Sequence, residues 1–286
     1  MPHGLSRADA IDWARSIDPC ALIDRDQLAA TGTVGAYGTS STSTACAAHV
    51  DDGTQYGMDI GWSIALVPTD FTMSPLGSIE EIDGVKVRMI DAARALPPAA
   101  RGQLVESACS LDMALDNAIA VRMSVSIQRD QDACTKGRQR VPSVLAKWRD
   151  QPKQGSSAAT TVTMLATASP CAVVPQLQKS RAVAFDWNDQ SLNTCSFKLD
   201  GTDVLVTMAY RTRAQVAVGE PRTFGGRAGY REVSGTDTSD RVIVGVEFTG
   251  VDAGHDAKLI PIVEVRGDGA TAVSDVTTAV LVQLPS

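Results

Sequence analysis

The sequence contains no apolar run approaching the 18 or so residues that a membrane-spanning helix needs. Its first residues, MPHGLSRADAIDWARS, also lack the apolar core of seven or more residues that defines a secretory signal. Aromatic residues make up only 5%, so any core must be built from aliphatic side chains. Basic residues are outnumbered, 26 Lys+Arg against 33 Asp+Glu, giving a net charge of -7. No electrostatic footprint for nucleic acid or anionic lipid exists at the level of the whole chain, and nucleic acid is excluded as a partner. There are three histidines, His3, His49 and His255, widely scattered, and no C-x-x-C pair, so no metal site is expected. The sequence has no G-x-S-x-G, H-E-x-x-H, G-x-x-x-x-G-K-[ST] or G-x-G-x-x-G. No cofactor and no catalytic residue can be assigned from motifs.

What the sequence does have is a repeated phrase. SIDPCALI at 16–23 returns as TASPCAVV at 167–174, each a Pro-Cys-Ala step followed by aliphatic residues. Each cysteine is answered by another at nearly the same distance: Cys46 lies 26 residues after Cys20, and Cys195 lies 24 after Cys171. The remaining two, Cys109 and Cys134, are 25 apart. Six cysteines permit about 15 connectivities, and the duplication favours the sequential one, Cys20 with Cys46, Cys109 with Cys134 and Cys171 with Cys195. Loops of this size would each contribute roughly 3 to 4 kcal/mol in the chain-entropy treatment. That gain exists only in an oxidising compartment, which points outside the cytoplasm. Together with the missing signal, this gives the expectation of a secreted or cell-envelope protein that is the soluble part of a longer precursor.

At 286 residues, 44% hydrophobic and 21% charged, the chain is a folded protein with room for two domains. LSRADAIDWAR (5–15) and ALIDRDQLAAT (21–31) have helical spacing, and the Gly- and Ser/Thr-rich GTVGAYGTSSTST (32–44) resembles a connector. Strands are expected at 46–50 and 56–67 around DDG, at 84–90, and as a hairpin from Cys109 to Asp112 and Ala118 to Ile127. ARALPPAARG (93–102) is a loop by its prolines, and 132–148 has helical spacing. RDQPKQGSSAAT (149–160) has the composition of a linker. Beyond it the order recurs: a short helical start at 169–180, strands at 195–199, 203–212 and 228–233, a hairpin of RVIVGVEF and LIPIVEVRG, and a closing helix SDVTTAVLVQLP. The expected fold is α+β, two tandem modules at 1–148 and 161–286 joined by 149–160. Each would be an antiparallel sheet with N- and C-terminal helices packed on one face.

Few residues then remain as candidates for chemistry. GTSSTST is a solvated connector rather than a nucleophile loop. Asp51-Asp52 before Gly53 is a turn, Glu80-Glu81 a solvated face, and DWNDQSLN (186–193) lacks the glycine and terminal glutamate of a calcium loop. His49 and His255 fall in different modules, so a Ser/His site would need both. Tyr56 and Trp62, an even number of residues apart in one expected strand, would share a face and are the candidate groove.

Asp-Pro-Cys-Ala-Leu-Ile at 18–23, Cys46 before a hairpin, Gly84 ahead of a strand, Cys109 opening a later strand and Asp132-Ala-Cys134 opening a helix together resemble a known pattern. It is that of the disulfide-bonded extracytoplasmic domains of actinobacterial cell-envelope lipoproteins. The resemblance covers 17–148 and, through Cys171 and Cys195, 169–285; Cys20 lacks the small-residue run that precedes a lipidated cysteine. It implies a cell-envelope setting and supplies no catalytic residues. The expected function is therefore non-enzymatic: binding or scaffolding of an envelope protein or lipid. An envelope lipid carrier, or a secreted hydrolase with its site between the modules, is the alternative.

Overall fold

The computed structural model describes residues 4–67, 71, 77–97, 101 and 104–284. His3 and most of the second half of ARALPPAARG lie outside them. The protein is mixed α and β, with two antiparallel sheets of 7 and 8 strands and a few helices. The chain divides into two compact units.

The first unit gathers residues up to Ser40, Thr44–Thr161 and Gly250–Asp256. Its sheet consists of β1 (Thr33–Thr39), β2 (Ala45–Asp51), β3 (Met58–Leu66), β4 (Gly77–Ile82), β5 (Val85–Asp91), β6 (Glu106–Ala114) and β7 (Ile119–Gln128). The strands lie in the order β1-β2-β3-β7-β6-β5-β4. Period-two alternation buries Met58, Ile60, Trp62 and Ile64 of β3 beside Val121, Met123, Val125 and Ile127 of β7. Helices α1 (Arg7–Arg15), α2 (Arg25–Ala29), α3 (Ala133–Arg138) and α4 (Val141–Asp150) accompany the sheet. Val141, Val144, Leu145 and Trp148 form the buried stripe of α4, and Trp148 meets Trp13 edge to face at 5.5 Å. Ser6 caps α1 by accepting the Asp9 N–H, and Asp132 caps α3 by accepting that of Thr135.

Two stretches behave differently from their composition. GTVGAYGTSSTST contains the edge strand β1, because Val34 and Ala36 are buried and the Tyr37 hydroxyl donates to the carbonyls of Cys20 and Ile23. Burial pushes the Tyr37 phenol above its ordinary pKa. Residues 149–160 are held against the N-terminal turn of the first unit. The fully buried Asp18 carboxylate accepts from the Cys20 and Ser157 N–H groups, each at 2.9 Å, and from the Thr160 hydroxyl at 2.5 Å. Asp18 N–H donates to the Pro152 carbonyl at 2.7 Å. The polar side chains and chain flexibility that mark a linker here satisfy a buried carboxylate.

The second unit gathers Ser41–Ser43, Val162–Thr249 and the chain from Ala257 onward. Its elements are α5 (Val174–Leu177), β8 (Val183–Ala184), β9 (Thr194–Leu199), β10 (Thr202–Thr212), α6 (Arg213–Val216), β11 (Glu220–Phe224), β12 (Arg227–Ser234), β13 (Asp237–Ile243), the start of β14 (Phe248–Asp252), β15 (His255–Asp268) from Ala257 onward, and α7 (Ala270–Gln283). The sheet runs β11-β12-β13-β15-β10-β9-β8, with β14 paired to β15. The expected hairpin of RVIVGVEF with LIPIVEVRG is split. β13 pairs with β15, the chain breaks near Gly245, and β14 returns to the same strand. A Cβ at Gly245 would lie 2.9 Å from Pro261, which explains the glycine at the break. Helix α7 begins before Ser274 and buries Val273, Val276 and Val280 against Val206, Val242, Val263 and Val265.

With β14 set aside, the two sheets have one strand order. β1, β2, β3, β7, β6, β5 and β4 correspond to β8, β9, β10, β15, β13, β12 and β11.

Candidate functional site

All six cysteines are paired sequentially: Cys20–Cys46, Cys109–Cys134 and Cys171–Cys195, with Cα separations of 5.2, 5.0 and 5.2 Å. The first and third join an N-terminal turn to the corresponding strands β2 and β9. The second ties β6 to α3. These staples, and the lack among the described residues of any helix long and apolar enough to cross a membrane, are compatible with an extracytoplasmic protein.

Tyr56 and Trp62 are not brought together. Trp62 is 2% exposed, stacks on Tyr37 and donates its indole N–H to the Pro19 carbonyl at 2.6 Å. Tyr56 precedes β3 instead of belonging to it, so strand alternation does not fix its side, and it is 45% exposed beside Leu104 and Val105.

His49 is placed more informatively. His49 and Asp59 are paired across β2 and β3, with Nδ1 2.7 Å from Asp59 Oδ1. His255, at the tip joining β14 and β15 and counted by its contacts in the first unit, has its ring centroid 6.1 Å from that of His49. A Cβ at Gly254 would collide with the Asp59 carboxylate, and Gly57 packs so closely that a Cβ there would lie 3.0 Å from His49 Nε2. The arrangement is a histidine oriented by a carboxylate, one half of an acid–base unit. Among the described residues no hydroxyl is hydrogen-bonded to His49. The sequence reading passes over Cys46-Ala-Ala-His49, a C-x-x-H spacing. On a strand an odd offset puts the two side chains on opposite faces, and Cys46 is disulfide-bonded. Among the described residues no group of three or more His, Cys, Asp or Glu is placed to hold a metal.

The acidic pairs are structural. Asp51 and Asp52 accept the N–H groups of Gly53 and Thr54 in a turn, and Glu80 lies on the edge strand β4, bonded to Arg138 at 2.7 Å. Within DWNDQSLN, Asp186 caps a short turn, and Trp187 packs on Phe185 at 4.9 Å.

The feature that motifs could not signal lies on the second sheet, on the face opposite α7. One end of that face is covered by α6, where Val216 joins Ala209, Ile260 and Ile262 in a small apolar cluster. Beyond α6 the face is polar and open. Arg241 donates to Glu232 at 2.7 Å and to Glu264 at 3.0 Å, Ser239 donates to Glu264, and Arg266 pairs with Asp237 at 2.7 Å. The hydrogen bond from Arg266 holds the Asp237 carboxyl below the usual carboxylate range. Two grooves of about 240 Å³ each lie here and share Asp237 and Arg266. Their charged lining is Glu232, Asp237, Glu264, Asp203 and Asp268 against Arg241 and Arg266, an excess of carboxylate. Leu205, 38% exposed, lies in the same depression. Buried beneath, on the helix side, Asp240 accepts from Arg231 and from the Thr277 hydroxyl and so ties β13 to α7. An acidic, open groove with an apolar spot on a braced sheet can hold a cationic segment by charge; Arg241 is engaged by Glu232 and Glu264, Arg266 by Asp237, and Asp203 by Lys198 at 2.7 Å.

No family model, no curated protein and no solved structure matches the chain.

Proposed function

We propose that this is a non-enzymatic, extracytoplasmic cell-envelope protein, akin to the disulfide-bonded domains of actinobacterial envelope lipoproteins, that binds a partner protein. On this reading it arose by tandem duplication of one α+β module. The shared strand order of the two sheets and the matched placement of Cys20–Cys46 and Cys171–Cys195 support the duplication. The observation that carries the binding role is the open acidic groove of the second sheet around Leu205, Glu232, Asp237 and Glu264. Its recognition element is a basic segment of the partner, drawn in and held by the carboxylate excess. A lipid carrier fits less well, because these grooves are open and lined by charge. A hydrolase would need a nucleophile on His49 that the described residues do not provide.

The test is a photo-crosslinking side chain placed at Leu205, and for comparison at Val282 of α7, in the intact producing cell. A discrete adduct from position 205, absent from 282 and weakened by Asp203→Lys and Asp268→Lys, is expected. Equal or no crosslinking at both positions would refute the assignment.

A further inference from the structure

The three disulfides are not equally accessible. Cys20 and Cys46 are 0% and 1% exposed and Cys171 and Cys195 are 4% and 0%, so both bridges lie inside the core. In the middle bridge Cys109 is 2% exposed, whereas Cys134 is only half-buried and lines a pocket of about 310 Å³. Ser78, Met89, Asp91, Arg94 and Asp132 form part of its wall. This staple also has no counterpart in the second sheet. The strand corresponding to β6 is β13, and the helix that follows β15 as α3 follows β7 is α7. There the strand and helix are joined by the hydrogen bond from Thr277 to Asp240 rather than by sulfur. The architecture therefore does not depend on a covalent link at this place. Gly137 of α3, whose missing side chain lets Leu111 of β6 approach, keeps the helix packed without one.

We propose that Cys109–Cys134 is a thiol-exchange site, with Cys134 as the sulfur attacked and a low-molecular-weight thiol as the reactant. A thiolate entering the pocket bonds to Cys134 Sγ as the Cys134–Cys109 bond breaks. The electron pair passes to Cys109 Sγ, which takes up a proton, and the product is a mixed disulfide on Cys134. A second thiolate attacks the sulfur of the bound small thiol; the bond to Cys134 Sγ breaks, Cys134 leaves as a thiolate and takes up a proton, and the small disulfide is released with both cysteines reduced, the two electrons coming from the two thiols. Attack on Cys109 is blocked by its burial. Among the described residues the wall presents the carboxylates of Asp91 and Asp132 against the guanidinium of Arg94, so the site prefers cationic or neutral thiols to anionic ones.

The experiment exposes the folded protein to limiting cysteamine or glutathione at matched thiolate concentration, quenches exchange with acid, alkylates free thiols after unfolding in denaturant and maps the peptides by mass spectrometry. The first product should carry the small thiol on Cys134 with Cys109 alkylated, while the other two bridges remain closed. Cysteamine should lead glutathione by about two- to threefold at low salt, with the gap narrowing in Asp91→Asn. Opening of Cys20–Cys46 or Cys171–Cys195 first or at the same time, an adduct on Cys109, or no adduct without denaturant would overturn the proposal. In Cys109→Ser, the single thiol at position 134 should react with a maleimide while the chain stays folded; protection of that thiol would overturn it equally.

Discussion

Asp18 shows how one side chain decides the fate of a distant stretch. Buried and ionisable, it is stable only because four donors converge on it, three of them from residues 156, 157 and 160. Asp18→Ala leaves those donors unpaired, and chemical denaturation should show a loss of roughly 1 to 3 kcal/mol, together with early proteolysis within 149–160. An unchanged midpoint and cleavage pattern would contradict this. Asp132 makes a pH-dependent contribution. The Thr135 N–H and hydroxyl hold its carboxyl below the usual range, so the capped α3 is fully stabilised above about pH 4. That contribution is lost as the pH falls through the lower folded value. Asp132→Asn should therefore destabilise the protein at neutral pH and flatten the acid limb of its stability profile; parallel profiles would count against the cap.

Among the elements, the long strands and the closing helix were legible, because β3 and β7 bury every second residue over several positions and β10 and β15 carry long apolar, β-branched stretches. The edge strands were not. β1 alternates in burial, but its glycines and small residues hide the pattern in the sequence, whereas β4 carries Glu80-Glu81 and β11 (EPRTF) is exposed along nearly its whole length. Their identity comes from backbone pairing to a neighbour, which the sequence does not display. Helix α7 should be indispensable to its sheet. Ending the chain at Ala272 strips Val273, Val276 and Val280 from the core and should remove the cooperative melt of the second unit. An unchanged melting temperature would refute that. A finer probe is Thr277→Val, which keeps volume but deletes the bond to buried Asp240 and should cost roughly 1 to 3 kcal/mol. Thr278→Val, on the exposed side of the same turn, should cost much less.

For the whole molecule, the sequence pointed to compartment and staples more clearly than to a site. Cysteine spacing displayed the three sequential bridges because each pair is separated by nearly the same length of chain, 26, 25 and 24 residues. The candidate groove of Tyr56 and Trp62 had no such support, and one residue lies buried while the other is at the surface. The acidic face of the second sheet was invisible because its seven charged residues come from four strands and form a pattern only after pairing. The pairing of His49 with Asp59 was hidden likewise, by a register that only the sheet sets. The account rests on a stapled protein working in an oxidising compartment. The most direct measurement is a non-reducing peptide map of the protein recovered from the envelope fraction of its producing cell, with free thiols trapped at lysis. The result predicted is Cys20–Cys46, Cys109–Cys134 and Cys171–Cys195 in the envelope fraction, with any free thiol confined to Cys109 and Cys134. Reduced Cys20, Cys46, Cys171 or Cys195, or recovery of the chain from the cytoplasm alone, would contradict it.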